Sequence, residues 1–252
     1  MNKLNRIVTA LALSFAAVGA QAAAPAPVKN VVLVHGFFAD GSGWKGVADI
    51  LTRDGFNVTV VQQPETSLAD DVKATTRAID ARQGDSILVG HSYGGVVITE
   101  AGNHPKVAGL VYVAAFLPDA GESLKDLADR IAPATKGIQA TADGHLYFDP
   151  ARFHADFAAD LPAADARFMA YSQVMPAVQA ATTPVSQAAW RSKPSWAIIS
   201  TADRTVSPEL ERTMAKRAGS KTVEIDGSHV AFIAHPEQVA RVIEQAAAAA
   251  GK

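Results

Sequence analysis

The chain of 252 residues contains no cysteine. Disulfide bonds, thiolate metal sites, a lipid-modified cysteine and a cysteine nucleophile are therefore all excluded. Stability must come from the burial of apolar side chains instead. Aromatic residues are sparse at 7%, but hydrophobic residues make up 48% of the chain, which is enough for the core of one domain.

Neither sign of charge is in excess, because 23 lysines and arginines stand against 25 aspartates and glutamates. The formal net charge of -2 provides no broad basic field for a phosphate backbone or an anionic lipid surface, so we expect no nucleic-acid partner. Downstream of the N-terminal region, no apolar run reaches the length of about 20 residues that a membrane anchor requires. We therefore expect no membrane anchor.

The N-terminal residues have the three zones of a secretory signal. Lys3 and Arg6 supply the positive start, an apolar run follows from Ile7 to about Ala20, and Ala20-Gln21-Ala22 supplies the small-residue end. We expect residues 1–22 to be a signal peptide that is cleaved near Ala22. The mature protein, residues 23–252, is then periplasmic or secreted.

Short apolar runs alternate with longer amphipathic stretches, which is typical of a parallel sheet with crossover helices. The predicted fold class is α/β, with a mainly parallel, doubly wound sheet. About residues 117–193 break this alternation: they contain Ala-rich patches interrupted by prolines and no convincing strand pair, so we interpret them as an inserted helical cap. The predicted strands are Asn30–Val34, Asn57–Val61, Ser86–Val89, Val107–Val113, Trp196–Ser200 and Thr222–Ile225, and the predicted helices are Trp44–Arg53, Leu68–Gln83, Gly95–Gly102, Pro208–Arg217 and Pro236–Ala249.

The strongest functional signal is Gly90-His91-Ser92-Tyr93-Gly94-Gly95, which lies between a predicted strand and a predicted helix. A strand-to-helix turn of the G-x-S-x-G type holds its serine in a strained backbone conformation, with glycine required where side chains would collide. The hydroxyl of Ser92 is then exposed above the sheet, and the N-terminus of the helix directs its N–H groups at the same place. The pattern predicts Ser92 as a nucleophile.

A second signal, Val34-His35-Gly36-Phe37-Phe38, lies at the end of the first predicted strand. An oxyanion hole needs two backbone N–H donors that converge on one point. We expect Tyr93, the residue after the nucleophile, to supply one donor and Phe37 to supply the other. His35 is expected to hydrogen-bond with neighbouring backbone rather than to react.

Two later loops place ionisable side chains at the same edge of the sheet, because the carboxyl ends of parallel strands meet there. Asp203 follows the fifth predicted strand and His229 follows the sixth. We predict His229 as the general base and Asp203 as the acid that orients it. Asp119, which follows the fourth predicted strand, remains an alternative for the acid.

These motifs resemble those of the α/β-hydrolase superfamily, and in particular its small single-domain serine esterases, with an HGxx turn after the first strand and a GHSxGG elbow. The resemblance covers about residues 30–249. It implies a serine, an acid and a histidine in the chain order that this fold uses, together with two backbone donors. The implied residues are Ser92, Asp203 and His229, with Phe37 and Tyr93 as the donors.

Two departures narrow the chemistry within this superfamily. Plant-type hydroxynitrile lyases carry a lysine after the catalytic histidine, where this chain has Val230, and this argues against cyanohydrin cleavage. Dehalogenases and epoxide hydrolases carry an aspartate in the elbow, where this chain has Ser92.

The expected activity is hydrolysis of small carboxylic esters through an acyl-enzyme, with a small-molecule substrate and neither a metal nor an organic cofactor. Two alternatives stay open. The same site could catalyse another reaction, namely perhydrolysis of the haloperoxidase type or lactone or C–C bond hydrolysis, or the protein could be a ligand receptor with slow turnover. The oligomeric state is not readable from the sequence. Apolar side chains of the predicted cap could line a pocket or could pack the cap onto the core; they are Leu146, Tyr147, Phe148, Phe153, Phe157, Phe168, Met169, Tyr171, Met175 and Trp190.

Overall fold

The structure, a computed structural model, describes residues 28–251. The predicted signal peptide, residues 1–22, lies outside the described residues. Between residues 28 and 251, none of the helices has both the length and the apolar character needed to span a bilayer.

A parallel sheet forms the centre of the fold. The strands of the described chain are β1 (Asn30–Val34), β2 (Asn57–Val61), β3 (Ser86–His91), β4 (Val107–Val113), β5 (Ile138–Ala140), β6 (Leu146–Phe148), β7 (Ser195–Ser200) and β8 (Lys221–Ile225). Six of them form one sheet in the order β2-β1-β3-β4-β7-β8. Every neighbouring pair in this sheet is parallel, which confirms the predicted α/β fold class.

The central strands are continuous apolar runs because both faces of the sheet are covered. All five residues of β1 are buried, and so are all six residues of β3. The strand β3 extends two residues beyond its predicted end at Val89, because its pairing with β4 continues as far as His91 opposite Val113. Burial on both faces is what makes these strands recognisable from composition alone.

Helices flank the sheet. They are α1 (Lys45–Arg53), α2 (Leu68–Asp80), α3 (Gly94–Ala101), α4 (Leu124–Arg130), α5 (Pro150–Asp156), α6 (Ala163–Ser172), α7 (Val178–Thr182), α8 (Pro208–Ala218), α9 (Ala231–Ala234) and α10 (Pro236–Ala250). The helix α1 packs against α10, and α2 packs against α3. The first predicted helix begins as a 3₁₀ turn at Gly41–Trp44, where the Asp40 carboxylate accepts the Ser42 N–H at 2.6 Å. The second ends at Asp80, three residues before its predicted end at Gln83.

The order of the strands opens a crevice where the two sequence motifs lie. From β1 the chain passes to β2 on one side and then returns to β3 on the other side of β1. At such a reversal the loops beyond the carboxyl ends of neighbouring strands diverge, and ligands bind between them in open α/β sheets. The loops in question follow β1 and β3, and they carry the His35-Gly36 and Ser92 motifs respectively.

The segment between β4 and β7 contains α4 to α7 and an antiparallel hairpin of β5 with β6. The prediction that about residues 117–193 contain no strand pair is therefore wrong. Each hairpin strand has only three residues, too few to show alternation, and the turn closes with Gly144 at φ +86°. Burial of Phe148 among other aromatic rings stabilises the pair in the tertiary structure. The boundaries of the cap stay a prediction.

Candidate active site

Ser92 lies in the turn between β3 and α3 and has a φ of +54°. A side chain in this left-handed region carries about 1–3 kcal/mol of strain, so the surroundings must impose the conformation. A Cβ atom at Gly90 would lie 2.4 Å from the backbone oxygen of Gly94, and one at Gly94 would lie 2.6 Å from the backbone oxygen of His35. Glycine at both positions thus permits a turn this tight.

Backbone hydrogen bonds hold the turn against β4. The Ser92 N–H donates to the backbone oxygen of Val113 at 3.2 Å. The Ser92 carbonyl accepts the N–H groups of Gly95 at 3.0 Å and Phe116 at 3.2 Å. The position of the hydroxyl is therefore set by the backbone of the sheet, and the residue remains 5% exposed at the wall of a cavity.

Asp203 and His229 form a direct pair although 26 positions separate them in the chain. His229 Nδ1 lies 2.6 Å from Asp203 Oδ2, and both side chains are completely buried. The other oxygen, Asp203 Oδ1, accepts the backbone N–H groups of Thr205 at 2.7 Å and Val206 at 2.9 Å. Both carboxylate oxygens are thus held, and the imidazole orientation follows from them.

Asp119, the alternative acid, lies elsewhere. It forms an ion pair with Arg191, whose Nε is 2.7 Å from Asp119 Oδ1, and it also accepts the N–H of Ala120 at 2.8 Å. The hydrogen bonds from Arg191 lower the pKa of Asp119. The structure therefore brings Asp203, and not Asp119, to His229.

The second ring nitrogen of His229 has the character expected of a general base. With Nδ1–H facing the carboxylate, Nε2 presents its lone pair. This atom is buried and has no hydrogen-bond partner within residues 28–251. In the same part of the chain, no hydrogen bond joins it to the Ser92 hydroxyl, and contacts of this kind often tighten only when substrate binds.

His91, the residue before Ser92, ties the histidine loop to the elbow. Its Nε2 lies 2.9 Å from the backbone oxygen of His229, and the two rings have centroids 4.6 Å apart. Burial, together with the nearby His229, lowers the pKa of His91 well below its usual value. A neutral His91 can donate from Nε2 to that oxygen.

The loop after β1 approaches the nucleophile closely. A Cβ atom at Gly36 would lie 2.5 Å from the Cβ of Ser92, so only glycine permits this distance. The rings of Phe37 and Tyr93 stack with centroids 4.0 Å apart and an interplanar angle of 20°. Within the described chain, neither residue's backbone N–H has an acceptor, so both remain available as oxyanion donors.

The sequence pattern of the alpha/beta hydrolase family matches residues 31–242, most of the chain. The chain belongs to the alpha/beta hydrolase family. A carbendazim-hydrolysing esterase from Nocardioides sp. is 36% identical over 124 residues, which cover 44% of this chain and about half, 51%, of that protein. An alpha/beta hydrolase from Aspergillus novofumigatus is 25% identical over 254 residues, covering 86% of this chain and 96% of that protein.

Solved structures share the fold at low sequence identity. A pyrethroid hydrolase from Sphingobium faniae JZ-2 has a TM-score of 0.76 at 22% identity, covering 87% of this chain and 97% of that one. Polyneuridine aldehyde esterase has a TM-score of 0.74 at 17% identity, covering 86% and 98% of the two chains. At such identities the likeness supports the fold alone. The sequence relatives, named as esterases and hydrolases, support ester hydrolysis in general.

In this α/β hydrolase, Ser92 lines a cavity of about 360 Å³ with a mostly apolar wall. Phe37, Phe38 and Phe116 contribute to it from the sheet edge. The remaining apolar wall comes from the segment between β4 and β7. It consists of Leu124, Ala128, Pro133, Ile138, Ala140, Leu146, Val178 and Ala181. A volume of this size fits a small organic ligand, and the wall favours an uncharged one.

Of the ten apolar side chains that the sequence suggested for a pocket, Leu146 lines this cavity. Three others, Phe148, Phe153 and Phe157, are fully buried and pack edge-on or tilted against one another. The ring of Phe157 also contacts that of His229, at 4.9 Å between centroids. Packing is thus their main role. Phe168, Tyr171 and Met175 are exposed, whereas Trp190 is buried and donates to the backbone oxygen of Pro118.

A second carboxyl, Glu211 on α8, is buried close to Asp203. Burial and the negative charge of Asp203 raise the pKa of Glu211 well above its usual value. The shift favours the protonated, uncharged form of Glu211 beside the histidine pair. Sequence reasoning missed Glu211, because an acidic residue in the first turn of a helix is ordinarily exposed and interacts favourably with the helix dipole.

Proposed function

We propose that this α/β hydrolase is a serine hydrolase that cleaves small carboxylic esters, with Ser92 as nucleophile, His229 as general base and Asp203 as the orienting acid. The observation that carries the proposal is the pair of His229 Nδ1 and Asp203 Oδ2 at 2.6 Å, with Nε2 buried and unpartnered among the described residues. A base that is oriented by an acid, and whose other nitrogen remains free, is the arrangement that activates a serine.

The reaction follows from these positions. His229 Nε2 accepts the Ser92 proton as Oγ attacks the acyl carbon, and the backbone N–H groups of Phe37 and Tyr93 donate to the oxyanion. The imidazolium then gives its proton to the departing alcohol. Water repeats the steps and releases the acid. Neither a metal nor an organic cofactor is needed for these steps.

The substrate class follows from the wall beside Ser92. The cavity is mostly apolar, and its ionic side chains, Lys125 and Asp129, pair with each other near the surface. An uncharged ester with a short apolar acyl or alcohol group therefore fits better than a charged one. The similarity to a carbendazim-hydrolysing esterase and to a pyrethroid hydrolase agrees with ester hydrolysis in general.

Export forms a second part of the proposal. The positive start, apolar run and small-residue end of residues 1–22 support a periplasmic or secreted enzyme. Fractionation of a cell that expresses the full chain should place the protein outside the cytoplasm, with an N-terminus at Ala23 by mass spectrometry. Cytoplasmic protein that retains Met1 or Asn2 would contradict this part alone.

Labelling with a fluorophosphonate tests the site directly. We expect one adduct, mapped by mass spectrometry to Ser92, and hydrolysis of p-nitrophenyl butyrate by the unlabelled protein. Ser92→Ala should lose both, with a fall in kcat of about a millionfold. Ser86→Ala is the matched control, because Ser86 is a buried serine at the start of β3, the strand that leads to Ser92, and its hydroxyl has no partner in the described chain. Retained turnover in Ser92→Ala would contradict the mechanism.

A further inference from the structure

Beneath the proposed oxyanion hole, Tyr93 is anchored by a buried carboxylate. Its hydroxyl donates to Asp71 Oδ2 at 2.7 Å, and Asp71, on α2, is completely buried. The other end of Tyr93 is the backbone N–H that follows Ser92. The side chain of one proposed donor is thus held at its tip by a charged acceptor, and hydrogen bonds to charged acceptors are stronger than neutral ones.

The same carboxylate holds a strained residue in the loop after β2. Asp71 Oδ1 accepts the backbone N–H of Glu65 at 2.8 Å, and Glu65 has a φ of +56°. The Glu65 carbonyl in turn accepts the N–H of Ala177 at 2.9 Å. Ala177 directly precedes α7, whose Val178 and Ala181 line the cavity. A continuous series of contacts therefore runs from the cavity wall to Tyr93.

We propose that Asp71 is a positioning residue for the oxyanion hole, acting through its hydrogen bond to the Tyr93 hydroxyl. The inference rests on the proposed function. The stacking of Tyr93 on Phe37 extends the effect to both donors, because a ring held at 4.0 Å restricts its neighbour. An oxyanion hole depends on donors that are oriented before the reaction, so a small loss of order at Tyr93 lowers the rate of the chemical step.

Asp71 lies in a cluster of ionisable groups with Glu65 and His35, and it is the charged hydrogen-bond acceptor of that cluster. Burial raises the pKa of Asp71 to about 6, and the hydrogen bonds from Tyr93 and Glu65 oppose that rise. Burial and the charge of Asp71 raise the pKa of Glu65 well above its usual value, and burial lowers the pKa of His35. These shifts favour the neutral forms of Glu65 and His35, whereas a pKa of about 6 leaves Asp71 mostly ionised at pH 8.

Four variants separate positioning from mere stability. Tyr93→Phe removes the donor of the Tyr93–Asp71 hydrogen bond, and Asp71→Leu replaces its acceptor with an apolar side chain of similar size. Asp71→Asn preserves both contacts, because its carbonyl can accept the Glu65 N–H while its amide donates to the Tyr93 oxygen. Tyr112→Phe is the matched control: Tyr112 is equally buried, and its hydroxyl bonds Thr99 at 2.9 Å, away from the proposed hole.

With p-nitrophenyl butyrate at pH 8, we expect Tyr93→Phe and Asp71→Leu to lower kcat by about tenfold while KM changes by less than about twofold. Their rate of fluorophosphonate labelling should fall in parallel, because the phosphonyl oxygen occupies the same hole. Asp71→Asn should stay within about threefold of wild type in kcat. Tyr112→Phe should lower the melting temperature less than Tyr93→Phe does, because its hydroxyl bonds a neutral partner, and it should leave kcat unchanged.

Equal kcat in Tyr93→Phe and Tyr112→Phe would overturn the proposal, as would an equal loss in Asp71→Asn and Asp71→Leu. If Asp71→Leu does not fold, the comparison of kcat between Tyr93→Phe and Tyr112→Phe tests the proposal by itself. The proposed function fails separately, by absence of labelling at Ser92 in the wild type. Labelled wild-type protein together with an unaffected Tyr93→Phe variant would reject the role of Asp71 alone.

Discussion

The elbow region, residues 34–38 and 90–95, and the segment between β4 and β7 both border the cavity, but different contacts position them. In the elbow region, glycines bring backbone against backbone, as at Gly90 and Gly94. In the segment, the structure depends on side-chain packing, such as that of Phe148, Phe153 and Phe157. Backbone contacts admit almost no variation, whereas a packed apolar wall tolerates changes of shape and volume. The proposed nucleophile thus lies in the constrained part, and most of the cavity wall lies in the adjustable part.

The largest of these effects separates the two candidate acids: Asp119 lies in the segment between β4 and β7, whereas Asp203 lies in the loop after β7. Asp203→Asn should lower kcat by about 10⁴-fold, because the amide disfavours the productive His229 tautomer. Asp119→Asn, which affects a partly exposed ion pair with Arg191, should leave kcat within about twofold. Steady-state kinetics with p-nitrophenyl butyrate checks both. A large loss in Asp119→Asn with none in Asp203→Asn would reverse the assignment.

Two glycine variants compare how well the backbone of the elbow region and the backbone of the β5–β6 hairpin tolerate an added Cβ atom. Gly94→Ala places its Cβ 2.6 Å from the backbone oxygens of Val34 and His35, so we expect a loss of about 3 kcal/mol in the free energy of unfolding. Gly144→Ala, in the hairpin, meets no atom within 4 Å and carries only the strain of its φ of +86°, about 1 kcal/mol. Urea unfolding measures both. Equal losses would show that the hairpin backbone is as constrained as the elbow.

The smallest effect concerns the wall itself. Leu146→Ala enlarges the cavity and removes contacts with the substrate, so KM for p-nitrophenyl hexanoate should rise by about fivefold while kcat stays within about twofold. Gln139→Ala is the control, because Gln139 is exposed on the same hairpin and does not line the cavity. A large drop in kcat for Leu146→Ala would mean that the wall also orients the reacting groups.

Much of the fold could be predicted because its signals are local. The strand β1 is a run of apolar residues covered on both faces, and the glycines of the elbow are required by contacts within a few residues of the serine. The hairpin of β5 and β6 was missed because three-residue strands show no periodicity. Glu211 and Asp71 were missed because an acid near the start of a helix is typical of solvent-exposed positions.

By itself, the sequence determined the parallel strands, the tight turn at Ser92 and the set of loops at one edge of the sheet, because each follows from backbone constraints within a short stretch of chain. Only the tertiary structure decided which aspartate meets His229, how Asp71 reaches Tyr93 and which side chains enclose the cavity. Those pairings join residues that are distant along the chain. Distances between such residues depend on how strands, helices and loops pack together, and a one-dimensional pattern does not record them.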